Sequence, residues 1–230
     1  MQVVLLVLEL IRTATPPPAG QRTAAVLLRG ALDERQQSHM YNYLVSLARG
    51  SVESRRLAAG ANDDDDDDDD DPRRPLPLAV WRHPYTLESN VAEPSLVLEW
   101  ARKLAATAAE GLGDADDACA VGGVEFDSLV SVLYRQGDVL PPHVDHGLAD
   151  PGLAVTLGGA CDFFYGGTRV RLASGDALFG AFGTVEHDVR GIRGDAAPDW
   201  FKGLPADSPR GGCSFGRARC SVQLRRARRL

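Results

Sequence analysis

Long apolar runs are missing from this chain. The most hydrophobic stretch, MQVVLLVLELIR at the N-terminus, is twelve residues long, well short of the roughly 20 that a membrane-spanning helix needs. It also lacks a basic leading region and a small-residue cleavage site before TPPPAGQR. It therefore reads as a buried strand or helix edge, and the protein is expected to be soluble and intracellular, in cytoplasm or nucleus with an organelle left open. Cysteine is scarce: Cys119, Cys161, Cys213 and Cys220 form neither CxxC pairs nor a dense disulfide pattern. They read as reduced thiols filling small buried spaces, and no zinc or redox site follows. The body of the chain also lacks excess charge. Its formal charge is −7, but nine consecutive aspartates at positions 63–71 supply all of it, and without them the balance is +2. A near-neutral body carries no strong electrostatic footprint for nucleic acid. The aspartate run, closed by PRRPLP, repels itself and cannot bury apolar surface, so 61–75 is expected to be an acidic disordered insertion.

What is present suggests one core with an N-terminal extension. Residues 1–60 read as an apolar edge, a Pro-rich turn, a strand-like AAVLLRG and a helix opening near Asp33 that packs on the core. Leu32, Met40, Tyr43, Leu44 and Leu47 recur there at helical spacing, and Gly50 is the expected stop. A second helix is expected in PSLVLEWARKLAATAAEG, with Leu96, Leu98, Trp100, Leu104 and Ala108 along one side. From Phe126 the texture changes to short apolar runs between glycine and acidic turns: LVSVLY, LAVTLGG, CDFFY, TRVRLA, DALFGAF and RCSVQLR. TRVRLASGDALFG reads as a hairpin around Ser-Gly-Asp. Helices before strands favour an α+β chain with a jelly-roll core flanked by N-terminal helices over a βαβ sheet.

The stretch LPPHVDHGLADPG holds two of only five histidines. A bare His-x-Asp is common, and its bland reading is a solvent loop. In an extended segment, however, His143 and Asp145 alternate across Val144 and point to one face. His39 and His83 lie in the N-terminal part, so His187 in GTVEHDVRGI is the candidate third ligand. Two histidines and a carboxylate on one face of a metal, with other positions open, form the ligand set of non-haem Fe(II) oxygenases. His146 would face away from Asp145 and reads as a surface or supporting residue. A carboxylate-bearing cosubstrate would need a planar cationic anchor, and RCSVQLR offers Arg219 and Arg225, six residues apart and on one side of a regular strand. Arg226, Arg228 and Arg229 read as a solvated basic tail, with a nuclear signal as the alternative.

Taken in order, FDSLVSVLYRQGDVLPPHVD, GDALF, His187 with Gly191-Ile192 beyond it, and RCSVQLR resemble the AlkB-type Fe(II)/2-oxoglutarate dioxygenases. That family carries N-x-Y-x-x-G before H-x-D, a distal H-G-I and a closing R-x-N-x-[TS]-x-R. The resemblance covers about 76–225 and implies a double-stranded β-helix core using Fe(II), 2-oxoglutarate and O2. It implies that His143, Asp145 and His187 hold the metal, that Tyr134 and Arg219 hold 2-oxoglutarate, and that Arg225 braces Asp145 or reads substrate. The core would occupy 76–230, with a nucleotide-recognition lid near 80–90, where Trp81, Arg82 and Tyr85, with His83, could stack on a base or contact phosphate.

Three positions depart from the family pattern: Val132 and Ser221 replace asparagines, and Asp188 replaces the glycine after the distal histidine. Val132 and Ser221 both fall where the family's amides would contact cosubstrate or strand backbone, and each lost hydrogen bond costs about 0.5–1.5 kcal/mol. Asp188 is expected to orient His187. The implied activity is oxidative demethylation of N-alkylated DNA or RNA bases, single-stranded or flipped, by a monomer that releases succinate, CO2 and formaldehyde. A protein or small-molecule hydroxylase on the same core, or a non-catalytic binding protein of degenerate site, remain alternatives.

Overall fold

Short strands that are apolar on one or both faces have to bury those faces against another layer. In a computed structural model, described over residues 7–14, 24–59, 76–82, 93–112, 115–202 and 217–227, they do so as two antiparallel sheets with helices outside. The strands are β1 (Val7–Ile11), β2 (Ala25–Arg29), β3 (Leu76–Arg82), β4 (Ser128–Tyr134), β5 (Leu140–His143), β6 (Leu148–Gly158), β7 (Ala160–Tyr165), β8 (Thr168–Leu172), β9 (Ala177–Gly180), β10 (His187–Arg193) and β11 (Arg219–Ala227). The larger sheet has the order β1-β2-β9-β6-β11-β4-β3 and the smaller β5-β10-β7-β8. From β4 onward the chain passes repeatedly between the two sheets, which is the winding of a double-stranded β-helix.

The helices are α1 (Glu34–Ala59), α2 (Ser95–Gly111), α3 (Ala115–Gly122) and the short α4 (Asp199–Lys202). They cover one face of the larger sheet, where Val155, Leu157, Val222 and Leu224 share a core with Leu44, Val97, Trp100 and Leu104. Its other face meets the smaller sheet: Tyr134, Ala154 and Leu178 join Phe163, Tyr165, Phe182 and Val189. The two-residue period therefore divides β11. Cys220, Val222 and Leu224 go to the helices, and Arg219, Ser221, Gln223 and Arg225 go to the space between the sheets.

Two sequence expectations change. TRVRLASGDALFG is no hairpin, because β8 pairs with β7 whereas β9 pairs with β2 and β6 in the other sheet. The turn between them is a corner held by Asp176. Its carboxylate accepts from Ala173 N (2.9 Å), Gly30 N (3.0 Å) and Arg29 Nη1 (2.9 Å). The true hairpin is β7–β8, whose two turn residues Gly166 and Gly167 have φ of +51° and +79°, a conformation that glycine adopts without steric cost. The second change is that α1 runs through Gly50 to Ala59; a glycine costs a helix only about 1 kcal/mol and does not by itself end it. Its start is as expected: Gln36 N donates to Asp33 Oδ1 (2.8 Å) and Asp33 N to Gln36 Oε1 (2.9 Å), a reciprocal cap. Leu76–Arg82, whose last residues open the expected lid region near 80–90, is an edge strand paired with β4, and the rest of that region lies outside the described residues. The aspartate run, His83, Tyr85 and Cys213 lie outside the described residues. No described helix is long and apolar enough to cross a membrane.

Candidate metal centre

The site begins at the edge of the smaller sheet. Strand β5, LPPH, carries two prolines that lack N–H groups, which an edge strand tolerates. One extra residue on β5 bulges it between its two pairings with β10, Leu140 with Val189 and His143 with His187. This register sets the last residue of β5 against the first of β10, so the His143 and His187 rings lie 4.3 Å apart between centroids. Asp145 follows just beyond the strand end, where its N–H donates to Phe182 O at 2.9 Å.

One donor atom from each of His143, Asp145 and His187 lies within 4.8 Å of the others. Asp145 Oδ1 is 3.5 Å from His143 Nε2 and 3.7 Å from His187 Nε2. The far side of each ring explains why Nε2 is available. His143 Nδ1 meets Pro141 O at 2.9 Å and His187 Nδ1 meets Val185 O at 3.1 Å. A carbonyl only accepts, so each neutral ring carries its proton on Nδ1 and leaves a lone pair on Nε2; when His143 is doubly protonated, its Nε2 donates to Asp145 instead.

Charge at the site is arranged to match. Asp145 Oδ2 accepts from Arg225 Nε at 2.6 Å, leaving Oδ1 toward the histidines. Burial pushes the Asp145 carboxyl up, but the His143 hydrogen bond and the Arg225 guanidinium outweigh it and hold it well below the usual carboxylate range. His143 is raised by its hydrogen bond to Asp145. His187, 4% exposed and flanked by Phe163 and Phe182 with centroids at 5.9 and 5.0 Å, is pushed down to about 4 by burial. It is therefore neutral at physiological pH, as a ligand must be. The His143 side chain is 33% exposed, so the cluster opens to solvent on that side. Two imidazoles and one carboxylate with open positions suit a divalent iron-type ion.

Arg225 is itself held by Leu153 O (2.8 Å), Leu224 O (3.1 Å) and Gln223 Oε1 (3.3 Å), with its guanidinium 4.2 Å from the Phe182 ring centroid. Arg219, 1% exposed, is different. Its Nη2 donates to Thr156 Oγ1 at 3.0 Å and Ser221 Oγ at 3.5 Å, but Nε and Nη1 are buried without an acceptor among the described residues. A buried guanidinium in that condition calls for an anion. Tyr134 is its cross-strand partner, with the ring centroid 5.1 Å from the guanidinium. Burial pushes the Tyr134 phenol up to about 12, so it stays a neutral O–H, and it feels the charges of both Arg219 and Arg225.

The structure thus brings together His143, Asp145, His187 and Arg225 around one point, and Tyr134, Arg219 and Ser221 around another on the same inner face. Asp188 does not orient His187. It is the next residue along the strand, so it points to the opposite face, where it binds Arg190 at 2.8 and 2.7 Å. His146 is exposed. Trp81 and Arg82 are on β3, in register with Leu129 and Ser128. Thr156 and Phe182 are site residues that the sequence reading passed over; a single threonine inside the apolar run LAVTLGG was the available signal for the first.

Comparison with known proteins supplies the architecture. No protein-family model matches the chain. The solved structure of OsALKBH1 superposes with a TM-score of 0.59 at 19% identity, covering 91% of this chain and 100% of that one. The chain has the AlkB-type fold. A 2OG-Fe(II) oxygenase family oxidoreductase from Burkholderia pseudomallei aligns more loosely, with a TM-score of 0.47 at 11% identity over 89% of this chain and 84% of that one. In sequence, a "Probable lanosterol 14-alpha demethylase" of Acanthamoeba polyphaga mimivirus is 26% identical over 208 residues, 88% of this chain. The chain spans 26% of that relative's length. In the AlkB-type fold of this chain, β5 and β10 carry His143 and His187, Asp145 lies just past the end of β5, and β11 carries both buried arginines.

Proposed function

We propose that this protein is an Fe(II)- and 2-oxoglutarate-dependent oxygenase that removes N-alkyl groups from nucleic-acid bases by oxidation, in DNA repair or RNA demethylation. The observation that carries this reading is the pairing of two needs on one inner face. Three convergent donors, two Nε2 and one Oδ1, fit Fe(II), and a buried arginine with unpartnered N–H groups fits the far carboxylate of a dicarboxylic acid.

Under this reading His143, Asp145 and His187 hold the metal, Arg219 and Tyr134 hold the cosubstrate's far carboxylate, and Ser221 stands beside them. Arg225 keeps Asp145 ionised and aimed. Phe163 and Phe182 keep water from His187. When bound, Fe(II) with 2-oxoglutarate and O2 supplies the oxidising power to hydroxylate a C–H bond, the cosubstrate leaving as succinate and CO2. On an N-methyl group the hydroxymethyl product separates into formaldehyde and the N–H base. The target base would reach the site from a single strand or flipped from a duplex, and Trp81, Arg82 and Tyr85 are the candidates to receive it.

A base is favoured over a peptide by the ordered series of AlkB-like motifs. The two prolines of β5 add to this, because an extended peptide lying along that edge beside His143 would find backbone donors missing. The first test is anaerobic addition of Fe(II) and 2-oxoglutarate to the purified protein. A visible charge-transfer band, lost in His187→Ala, is expected; its absence at millimolar cosubstrate would refute the reading. Formaldehyde release from N-methylated oligonucleotides, with none from methylated or proline-rich peptides, then tests the substrate class, and the reverse pattern would select the protein hydroxylase.

A further inference from the structure

Arg219 and Tyr134 form one rung of the larger sheet with Gly158, in the order Gly158, Arg219, Tyr134 across β6, β11 and β4. The next rung on the same inner face is Thr156, Ser221, Val132. These are the positions at which the chain departs from the amide-bearing AlkB pattern, Val132 and Ser221 standing where that pattern has asparagine. Here the rung offers two adjacent hydroxyls instead. Both reach the same nitrogen of the neighbouring guanidinium: Thr156 Oγ1 at 3.0 Å and Ser221 Oγ at 3.5 Å from Arg219 Nη2. Thr156 is fully buried and Ser221 nearly so, at 0% and 2% exposure, so no water competes for the contact.

A guanidinium is planar, and fixing one of its nitrogens fixes the direction of the other two. The Thr156 contact is the shorter, and threonine is the stiffer side chain because its branched Cβ restricts χ1. Glycine at position 158, directly across from Arg219, places no side chain on that rung to hold the guanidinium from β6. Orientation from that side falls to Thr156.

We infer that Thr156 is a positioning residue for cosubstrate selection. It fixes the plane of the Arg219 guanidinium, whose Nε and Nη1 still have N–H groups to offer, for the far carboxylate of a five-carbon 2-oxo diacid. The inference rests on the reading of Arg219 as the 2-oxoglutarate anchor. It assigns Thr156 no contact with the metal and none with the 2-oxo end of the cosubstrate.

The test is anaerobic equilibrium titration of Fe(II)-loaded protein, followed by the charge-transfer band, with two acids: 2-oxoglutarate, and 2-oxobutyrate, which has the same chelating end but no far carboxylate. Thr156→Val keeps the shape and removes only the hydroxyl; Thr156→Ser keeps the hydroxyl. The expected result is a 2-oxoglutarate Kd raised about two- to tenfold in Thr156→Val, the weight of one buried hydrogen bond. Thr156→Ser should stay near wild type and the 2-oxobutyrate Kd should be the same in all three proteins. In turnover, KM for 2-oxoglutarate rises while kcat at saturation holds. An unchanged 2-oxoglutarate Kd in Thr156→Val would overturn the inference, and so would an equal loss for both acids, which marks a general packing defect. A wild type that binds neither acid would instead remove the cosubstrate reading itself, and the inference with it.

Discussion

Replacing Arg225 with methionine removes the charge that Asp145 leans on while keeping much of the side chain's bulk against Phe182. In the wild type Arg225 is 5% exposed, and its Nε meets Asp145 Oδ2 at 2.6 Å. Breaking a buried ion pair by removing one partner costs about 3–5 kcal/mol, because the other charge stays buried and unpaired. The Asp145 side chain is 15% exposed, and water reaching it relieves part of that, so about 2–4 kcal/mol is expected. At about 2–4 °C per kcal/mol for a chain of this size, Tm should fall by about 5–15 °C.

The assay is thermal and urea unfolding of metal-free Arg225→Met, Asp145→Asn and the double variant. In the double variant no unpaired carboxylate is left, so its loss should be smaller than the sum of the singles by at least about 1 kcal/mol. The pH dependence has a definite sign. The folded carboxyl of Asp145 is held below its ordinary value, so its contribution is complete above the unfolded value near pH 4 and is lost as pH falls through the folded value. The wild-type advantage over Arg225→Met is therefore greatest at neutral pH and narrows in acid. Additivity of the two substitutions within about 0.5 kcal/mol, or a gap that widens in acid, would refute the reasoning.

Other outcomes follow from the same geometry. Metal affinity should fall about tenfold per pH unit in acid as one proton binds His143, whose value is raised, while His187, held near 4, stays neutral until far lower pH; a two-proton slope in the Fe(II) or Mn(II) titration between about pH 5 and 7 would contradict this. Asp188→Asn should leave metal affinity within about twofold and cost no more than about 1 kcal/mol, since its partner Arg190 is half exposed on the opposite face. A large loss of metal binding would restore Asp188 to the site. Gly152→Ala should lower stability by about 1–3 kcal/mol and weaken metal binding, because its Cβ would come within 2.8 Å of both Arg225 Cδ and Phe182 Cδ2. An alanine variant with wild-type Tm and metal affinity would show that the Arg225–Phe182 stack is not closely packed.

Local periodicity made much of this protein legible from its residues. A two-residue period is enough to put His143 with Asp145, and Arg219 with Arg225, on one side of an extended chain. A helical period is enough to mark α2 by Leu98, Trp100, Leu104 and Ala108. These properties belong to the backbone and to side chains a few residues apart, so no partner is needed to see them. Pairing is another matter. TRVRLA and DALFG look like hairpin arms, but β7 and β2 compete for them, and the Asp176 corner sends them to different sheets. Whether Asp188 serves His187 turned on whether the two lie in a regular strand, and the pairing of β10 with β7 puts them there, where neighbours face opposite ways. The chain's own residues determined the chemical types available to the site: five histidines, one His-x-Asp and an arginine-bearing last strand. Only the tertiary structure decided that His143 and His187 meet in register across β5 and β10, that Arg225 takes Asp145, and that Arg219 is left buried with N–H groups to offer. Those outcomes depend on strand register and burial, which are set by contacts between segments far apart in sequence.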